Sequence, residues 1–338
     1  MDPLLLALFG FIAMMGLILL HVPIGVAMAL VGMVGFAQIA GWGPALTLMA
    51  SEPASAMANL DLAVIPLFML MGSLAAAGGL ASDVYNLAYA LIGHRRGGLA
   101  TTTIVASGGF GAICGSGVAT TATFGRVAMP EMLSRGYRED LAAGSVAAGG
   151  TLGIIVPPSS MMILYAVLTE QSVLDLFAAG VVPAIMAIVF YVVAIQVKLM
   201  ISPEAGPRGT RATAMERWLA VKQAWGVYIL FAVVIGGIYS GIFTVNEAAA
   251  IGVMVAFLFA LVRRRLGWQR FIKVLAEASA GTAMIYVMVF GATIFSYFMA
   301  VTGAAAFLVS AITQLPASPA GDHLHSTGSV YLPWGFLR

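Results

Sequence analysis

Long apolar stretches alternate with short polar breaks along the whole chain. A transmembrane helix needs about 20 mostly apolar residues, and most of the stretches approach or reach that length. The pattern predicts apolar segments at residues 4–20, 24–40, 62–80, 99–132, 141–168, 174–199, 225–241, 245–262 and 276–315. Residues 81–98 are amphipathic, and residues 41–61 and 201–223 form more polar connections. We therefore expect an all-α polytopic membrane protein.

The composition supports the same fold class. Hydrophobic residues make up 61% of the 338 residues and charged residues only 9%, compared with about 45–50% and about 25% in ordinary soluble domains. Mean hydropathy is +1.00. A soluble chain of this composition would lack the polar groups to cover its surface, so DNA-binding proteins, cytosolic enzymes and disordered chains are excluded as classes.

The positions of lysine and arginine predict how the chain is oriented. The basic clusters fall at Arg95–Arg96, residues 126–138, residues 198–222 and residues 263–273. The polar breaks at 41–61, 169–175 and 241–247 contain acidic residues but no lysine or arginine. By the positive-inside rule, we expect the basic clusters to be cytoplasmic and the acidic breaks, together with the N-terminus, to be external.

This orientation has a consequence for residues 99–132, which lie between two basic clusters. A single crossing cannot begin and end on the same side of the membrane. At about 34 residues, and with a rise of about 1.5 Å per residue, the segment is too short for two full crossings of a core about 30 Å thick. We predict a re-entrant hairpin that turns near the membrane midplane.

The middle of the hairpin, residues 108–123, is rich in glycine and in hydroxyl side chains. Glycine permits a tight turn, and irregular backbone at membrane depth is tolerated where it is buried in protein or lines a cavity. Freed carbonyls and hydroxyls suit a hard cation such as Na⁺, and the N-terminus of the returning half-helix favours an anion. The alternative is a small-residue face for close helix packing.

Pro157 and Pro158 interrupt the apolar segment 141–168. Two consecutive prolines remove two backbone donors and clash with the preceding turn, so the helix must break and carbonyls from Gly153 to Val156 lose their partners. A kink repaired by Ser159 and the next serine is the alternative. Two broken segments in one apolar core favour an ion and substrate site, because discontinuous helices mark such sites in transporters.

Enzymatic and metal-cluster functions have little support. Cys114 is the only cysteine, and the four histidines show no H-E-x-x-H spacing. Ser116 lacks a nearby histidine base, because both upstream histidines lie at predicted cytoplasmic ends. We expect most of the acidic residues near the ends of spans, namely Asp61, Asp83, Glu247 and Glu277, to be solvated, with Glu247 a candidate helix cap or scaffold contact.

Several short motifs, taken in order, resemble one transporter family. They are Ile65–Phe68, Gly93–Gly98, Gly115–Thr120, Met129–Met132 with Arg135–Tyr137, Gly153–Ser159, and Gly241–Thr244 with Glu247–Ala250. From about residue 4 to about residue 316, the chain resembles the large membrane subunit (DctM-like) of tripartite ATP-independent periplasmic, or TRAP, transporters.

The resemblance implies a Na⁺-coupled importer of small organic anions, such as C4-dicarboxylates, keto acids or sugar acids. It implies a periplasmic substrate-binding protein and a small four-helix membrane subunit as partners, with no nucleic acid. The subunit would be a multi-pass protein of the bacterial inner membrane with a periplasmic N-terminus, with no cofactor beyond Na⁺ and no enzymatic activity. The implied fold is an elevator-type transporter with two inverted repeats, each containing a hairpin and a broken helix.

The resemblance also implies a Na⁺ and substrate site where the hairpin tip meets the broken helix. By motif, its residues are Gly111, Cys114, Gly115, Ser116, Gly117, Thr120, Gly153, Val156, Pro157, Pro158 and Ser159. Cys114 stands where the family usually has serine. The change is mild if that ligand acts through its carbonyl, and it weakens the site if the hydroxyl is needed.

The domain organisation follows from the same resemblance. We expect residues 1–61 to form scaffold spans and an external connection, and residues 62–173 to form the first transport repeat with hairpin 99–132 and broken helix 141–168. Scaffold spans then occupy 174–262, the second repeat begins at 263–316, and 317–338 form an aberrant polar tail. Because only one hairpin and one proline break occur, we expect an incomplete second repeat and a frameshift or truncation.

Three alternatives remain open from the sequence. One is a stand-alone Na⁺/carboxylate symporter that needs no binding protein, and a neighbouring gene for a secreted binding protein would separate it from the leading hypothesis. Another is a membrane-embedded enzyme, which the absence of paired catalytic side chains in the spans disfavours. The third is a non-functional truncated permease fragment.

Overall fold

The computed structural model describes residues 3–313, and within that range every regular element is a helix, as predicted. The helices are α1 (Pro3–Leu19), α2 (Ile24–Ala40), α3 (Trp42–Ala58), α4 (Val64–Gly78), α5 (Leu80–Ile92), α6 (Gly98–Cys114), α7 (Gly117–Ser134), α8 (Glu139–Ile155), α9 (Ser160–Leu168), α10 (Val173–Ile201), α11 (Ala214–Gln223), α12 (Trp225–Phe231), α13 (Gly237–Tyr239), α14 (Val245–Val262), α15 (Trp268–Val301) and α16 (Ala304–Thr313). The predicted polar tail, residues 317–338, lies outside the described residues.

Several helices are long and apolar enough to cross a membrane. By length and composition α10, α14 and α15 qualify on their own. Further candidates arise if bent helix pairs are counted as single spans: α4 with α5, bent by 65°, α8 with α9, bent by 44°, and α11 with the following helical segment, bent by 46°. The chain is therefore an all-α polytopic membrane protein.

The observed helix boundaries match the predicted apolar segments where a short polar break separates two segments. They differ where a longer polar connection itself contains a helix. The bounds of α2 and α14 are those predicted. The predicted connections 41–61 and 201–223 contain α3 and α11. Alanine, leucine and methionine, which are strong helix formers, recur through α3. At the start of α11, Thr213 and Glu216 form a reciprocal capping box.

The described residues form two compact units. The first comprises the described residues up to Ala54 and those from Phe290 onward. Its packing depends on small residues: a Cβ added at Gly32 of α2 would lie 2.8 Å from the Cα of Phe295 in α15. The absence of a side chain at this position therefore lets the two helix backbones approach closely.

The second unit, Ser55–Val289, contains the predicted hairpin and broken helix. Helices α6 and α7 contact each other, and both pack against α8. Helix α4 contacts α6, α7 and α9, while α10 contacts α6, α8 and α9. Phe110 of α6 and Phe124 of α7 are fully buried and pack edge to face at 5.9 Å between ring centroids. The hairpin is thus embedded among other helices of its unit.

Asp83 is the exception among the four acidic residues expected near span ends, because Asp61, Glu247 and Glu277 are exposed. Its side chain lies in α5 with a relative exposure of 10%, and a carboxylate oxygen lies 2.6 Å from the Arg263 guanidinium at the end of α14. Arg263 also donates to the Gln223 carbonyl at 2.9 Å and stacks over the Phe259 ring. Burial of Asp83 is compatible with its charge because the arginine is paired with it.

Glu247 has one of the two roles proposed for it, that of a helix cap. Its carboxylate accepts a hydrogen bond from the Thr244 backbone N–H at 2.8 Å, and the Thr244 hydroxyl accepts one from the Glu247 N–H at 3.3 Å. This reciprocal capping box begins α14. The predicted division at residues 61, 173 and 262 concerns transport roles and stays a prediction.

Candidate functional site

The turn between α6 and α7 consists of Gly115 and Ser116, which we call the tip. Gly115 has φ +62°, in the left-handed region that glycine adopts at helix ends. Its N–H donates to the Gly111 carbonyl at 2.8 Å. Ser116 begins α7 as its N-cap, and its hydroxyl accepts the Ala119 N–H at 3.3 Å. A glycine that ends one helix and a serine that begins the next therefore make a two-residue turn.

Two donors from Thr120 converge on the Ser116 carbonyl. The Thr120 backbone N–H donates to that oxygen at 3.0 Å and its hydroxyl donates at 2.8 Å. Thr120 is fully buried. The Ser116 carbonyl and the Thr120 hydroxyl are thus two oxygen atoms held side by side in the first turn of α7.

Residues 156–159, which we call the break, separate α8 from α9. The last turn of α8 closes with the Val156 N–H donating to the Leu152 carbonyl at 2.8 Å. Pro157 and Pro158 have no N–H, so the carbonyls of Gly153 and Ile154 have no donor four residues later. The chain then bends by 44° and enters α9 at Ser160.

The tip and the break are in direct contact. The Ser160 N–H donates to the Gly115 carbonyl at 3.0 Å. A Cβ added at Gly115 would lie 2.9 Å from the Pro158 carbonyl oxygen, and one added at Gly111 would lie 3.0 Å from the Gly153 Cα. The two irregular elements, separated by about 40 residues in sequence, therefore meet backbone to backbone.

Gly153 is a point of close approach between α8 and the start of α7. A Cβ at this position would lie 2.7 Å from the Ser116 carbonyl oxygen and 2.6 Å from the Thr120 hydroxyl. A Cβ at Gly117 would likewise lie 2.6 Å from the Ile154 side chain. Because residue 153 is glycine, no side chain from α8 at this position covers the Ser116 carbonyl oxygen or the Thr120 hydroxyl.

Ser159 places a further oxygen in the break. The residue has zero exposed area, and its hydroxyl has no hydrogen-bond partner in the part of the chain that the structure describes. Buried polar atoms in folded proteins usually have a partner, which can be ordered water or an ion. The Ser159 hydroxyl is therefore available to bind an ion or a buried water molecule.

Two of the predicted site residues, Pro157 and Cys114, pack against other helices. A side chain at Gly180 of α10 would meet the Pro157 ring at 3.1 Å, so Pro157 packs towards α10. A side chain at Gly72 of α4 would meet both the carbonyl oxygen of Cys114, at 2.8 Å, and its sulfur, at 2.9 Å. Val156 forms the C-cap of α8.

The electrostatics of the site come from helix ends rather than from charged side chains. The carbonyl ends of α6 and α8 and the N–H ends of α7 and α9 all belong to the tip and the break, so partial charges of both signs are present. Within residues 3–313, no group of three or more His, Cys, Asp or Glu side chains is placed to hold a metal. A cation at this site would be held by neutral carbonyl and hydroxyl oxygens.

Sequence reasoning missed the contribution of α4. Gly72 lies against Cys114, and the Ser160 hydroxyl lies 3.7 Å from the sulfur of Met69. The residues 71–79, rich in glycine and alanine, were the available signal, since such residues permit close helix approach. Ser160 was expected only to repair the kink, whereas its backbone N–H donates to the Gly115 carbonyl at the tip.

Comparison with known proteins gives a consistent result. The family model described as "Tripartite ATP-independent periplasmic transporter, DctM component" matches residues 11–324. The match thus extends beyond residue 316, where the sequence motifs had placed the end of the resemblance.

Individual relatives agree with the family match. The chain is 38% identical to the C4-dicarboxylate TRAP transporter large permease protein DctM of Pseudomonas aeruginosa, over 77% of this chain and 61% of that protein. It is 36% identical to the Rhodobacter capsulatus protein of the same name, over 72% and 59%. It is 30% identical to the sialic acid TRAP transporter large permease protein SiaM of Vibrio cholerae, over 87% and 67%. The chain thus spans about 60% of the length of the first two relatives.

Proposed function

The chain belongs to the DctM component family of tripartite ATP-independent periplasmic transporters, and from that membership we propose that it is the large membrane subunit of a Na⁺-coupled importer of small organic anions. The proposal concerns the whole transporter, of which this chain supplies one repeat with a hairpin and a broken helix. Na⁺ binds where the tip meets the break.

The contact between tip and break is the observation that carries the Na⁺ assignment. A hard cation prefers oxygen ligands. Oxygen atoms of Ser116 and Thr120 lie at the start of α7, and the Ser159 hydroxyl lies in the break. The Gly153 carbonyl, near the end of α8, has no donor four residues later because that residue is Pro157. These ligands come from two separate elements, so an ion held between them would stabilise their contact.

The substrate class rests on two arguments of different kinds. Relatives are named for C4-dicarboxylates and for sialic acid, and both ligands are carboxylic acids. The N-termini of α7 and α9 offer backbone N–H groups and a positive dipole end, which favour an anionic group. We therefore assign a carboxylate as the anion, bound next to the Na⁺ site.

The proposal includes partners and location. As in the family, a periplasmic binding protein delivers the anion and a small four-helix membrane subunit completes the permease. The assembly lies in the bacterial inner membrane with the N-terminus of this chain in the periplasm. The basic clusters at residues 95–96, 126–138, 198–222 and 263–273 support this orientation. An elevator movement of the hairpin-containing unit is the transport mechanism that the family resemblance implies.

Reconstitution tests the coupling. The whole transporter that contains this chain is inserted into proteoliposomes with its small subunit and binding protein, and uptake of succinate and of sialic acid is followed with an inward Na⁺ gradient. We expect uptake of a carboxylate to depend on the Na⁺ gradient and to fall to background when choline replaces Na⁺. Uptake that is equal in Na⁺ and choline would contradict the coupling.

A further inference from the structure

The polar segment after α10 is attached to both ends of the hairpin. We call residues 203–209 the strap. The Gly206 carbonyl accepts the Gly97 N–H at 3.1 Å, just before α6, and the Ala205 carbonyl accepts the Arg138 N–H at 3.1 Å, just after α7. Arg208 forms an antiparallel backbone bridge with Arg96. One short segment thus binds the base of α6 and the base of α8.

Tyr137 is the centre of this arrangement. Its hydroxyl donates to the Pro207 carbonyl of the strap at 3.0 Å and accepts the N–H of Leu99 at 3.1 Å. Leu99 is the second residue of α6, so its N–H is one of the helix donors that have no partner within the helix. Tyr137 itself precedes α8 by two residues and is 5% exposed. A single hydroxyl therefore joins α6, the strap and the turn that leads into α8.

Two features keep this arrangement in place. Burial raises the pKa of the Tyr137 hydroxyl above its usual value of 10.0, although the hydrogen bond from the Leu99 amide lowers it, so the hydroxyl keeps the proton that it donates to Pro207. The strap also lies directly on backbone: a Cβ at Gly206 would be 3.1 Å from the Gly97 Cα. A side chain at position 206 would therefore push the strap away from Gly97.

The bases of α6 and α8 are connected to the candidate ion site by the helices themselves. Each helix has 17 residues and ends at the tip or the break. They pack along each other, and a Cβ at Gly149 in α8 would lie 2.5 Å from the Ser107 hydroxyl in α6. Packed helices can move past each other by small sliding shifts, so a shift of α6 along α8 at the bases would also move Gly111 relative to Gly153 at the far ends.

We propose that Tyr137, acting with the strap, is a positioning residue that fixes the axial register of α6 against α8 and thereby the contact between tip and break. This inference rests on the proposed Na⁺ site for its functional consequence. It also accounts for the motifs Gly93–Gly98 and Arg135–Tyr137, which lie outside the ion site.

The test is Tyr137→Phe in the purified chain, which removes the hydroxyl and keeps the ring. Tyr89→Phe is the matched control, because the Tyr89 hydroxyl bonds to Arg135 in the same turn but contacts neither α6 nor the strap in the described hydrogen bonds. Amide hydrogen exchange is measured in Na⁺-free buffer at the start of α6 and at the tip. The Na⁺ concentration for half-maximal thermal stabilisation is measured separately.

For Tyr137→Phe we expect amide exchange to be about tenfold faster at the start of α6 and also faster at residues 115–121. The Na⁺ concentration for half-maximal thermal stabilisation should rise about fivefold. Tyr89→Phe should change neither. Gly206→Ala, which pushes the strap from Gly97, should reproduce the effect. Faster exchange confined to the start of α6, or equal behaviour of the two tyrosine variants, would overturn the positioning role. If the parent chain shows no Na⁺ response, the proposed Na⁺ site fails, whereas the exchange data still test the positioning role of Tyr137.

Discussion

The backbone N–H of Ser160 donates a hydrogen bond to the carbonyl of Gly115 across 3.0 Å. This bond joins the first residue of α9 to the turn of the hairpin. Gly115 cannot carry a side chain without meeting the Pro158 carbonyl, and its φ of +62° disfavours other residues. The contact is therefore made by backbone atoms that side-chain substitutions alter only indirectly, and its test requires changes to the backbone donor itself.

Ser160→Pro removes that donor. Proline is tolerated at the first position of a helix, and Ser159 already has the extended conformation that a following proline requires. We therefore expect α9 to persist while the link to Gly115 is lost, with Na⁺ affinity reduced about tenfold or more in titrations of the purified chain. Ser160→Ala is the control, because it deletes the hydroxyl and keeps the N–H. A Ser160→Pro chain that binds Na⁺ as tightly as Ser160→Ala would show that this bond does not support the site.

Gly153→Ala tests the close approach of α8 to the start of α7. The new methyl group would lie 2.7 Å from the Ser116 carbonyl oxygen, and overpacking of this kind typically costs about 1–3 kcal/mol. We expect the Na⁺ concentration for half-maximal thermal stabilisation to rise at least tenfold.

Gly144→Ala is the matched control for that substitution. Gly144 lies in the same helix, and a Cβ there meets nothing within 4 Å. Its Na⁺ response should equal that of the parent chain. These glycines give a cleaner test than Ser116→Ala, since the Ser116 hydroxyl also caps α7 and its loss would weaken the helix. Similar Na⁺ responses for the two glycine variants would contradict the assigned site.

The Asp83–Arg263 ion pair predicts a stability effect. Removing one partner of a buried pair leaves an uncompensated charge and typically costs about 3–5 kcal/mol. We expect Asp83→Ala to lower the thermal midpoint of the purified protein clearly, and Asp83→Ala with Arg263→Ala to lower it by less than the sum of the single changes. Asp140→Ala, at an exposed pair with Arg138, should have little effect. Additive effects at residues 83 and 263 would argue against a coupled pair.

The orientation of the chain can be tested by labelling single cysteines in cells. Cys114 is first replaced by alanine, and cysteine is then introduced at Arg211 or at Asp61, both of which are exposed. We expect a membrane-impermeant thiol reagent to label position 61 from outside and position 211 only after the membrane is opened, because basic segments stay in the cytoplasm. Labelling of position 211 in intact cells would contradict the predicted orientation.

The sequence was most informative where backbone chemistry leaves few choices. The glycines in residues 108–123 predict a turn, and Pro157 with Pro158 predicts a helix break, because glycine adopts positive φ and proline lacks an N–H. Both elements are found where they were expected. The hydropathy pattern located α2 and α14 for a related reason, since sharp polar breaks and a capping box delimit them.

Other features depend on contacts between segments distant in sequence. The partner of Asp83 lies 180 residues away, and nothing local distinguishes a buried, paired aspartate from a solvated one. From the sequence, the strap is indistinguishable from an ordinary polar loop. Its hydrogen bonds to residues 97 and 138 use backbone atoms, which every residue has, so no side chain signals them. Helix α11 was missed because short polar helices have no apolar stripe and are signalled mainly by their caps, here Thr213 and Glu216.

The central claim is that Na⁺ binds between the hairpin tip and the proline break. Amide hydrogen exchange of the purified chain, compared in NaCl and KCl of equal ionic strength, tests it most directly. An ion that binds only the closed contact stabilises it, so exchange at residues 115–121 and 159–164 should be slower in NaCl, while residues 248–262 of α14 should be unaffected. Equal exchange at the tip and the break in the two salts would contradict the account.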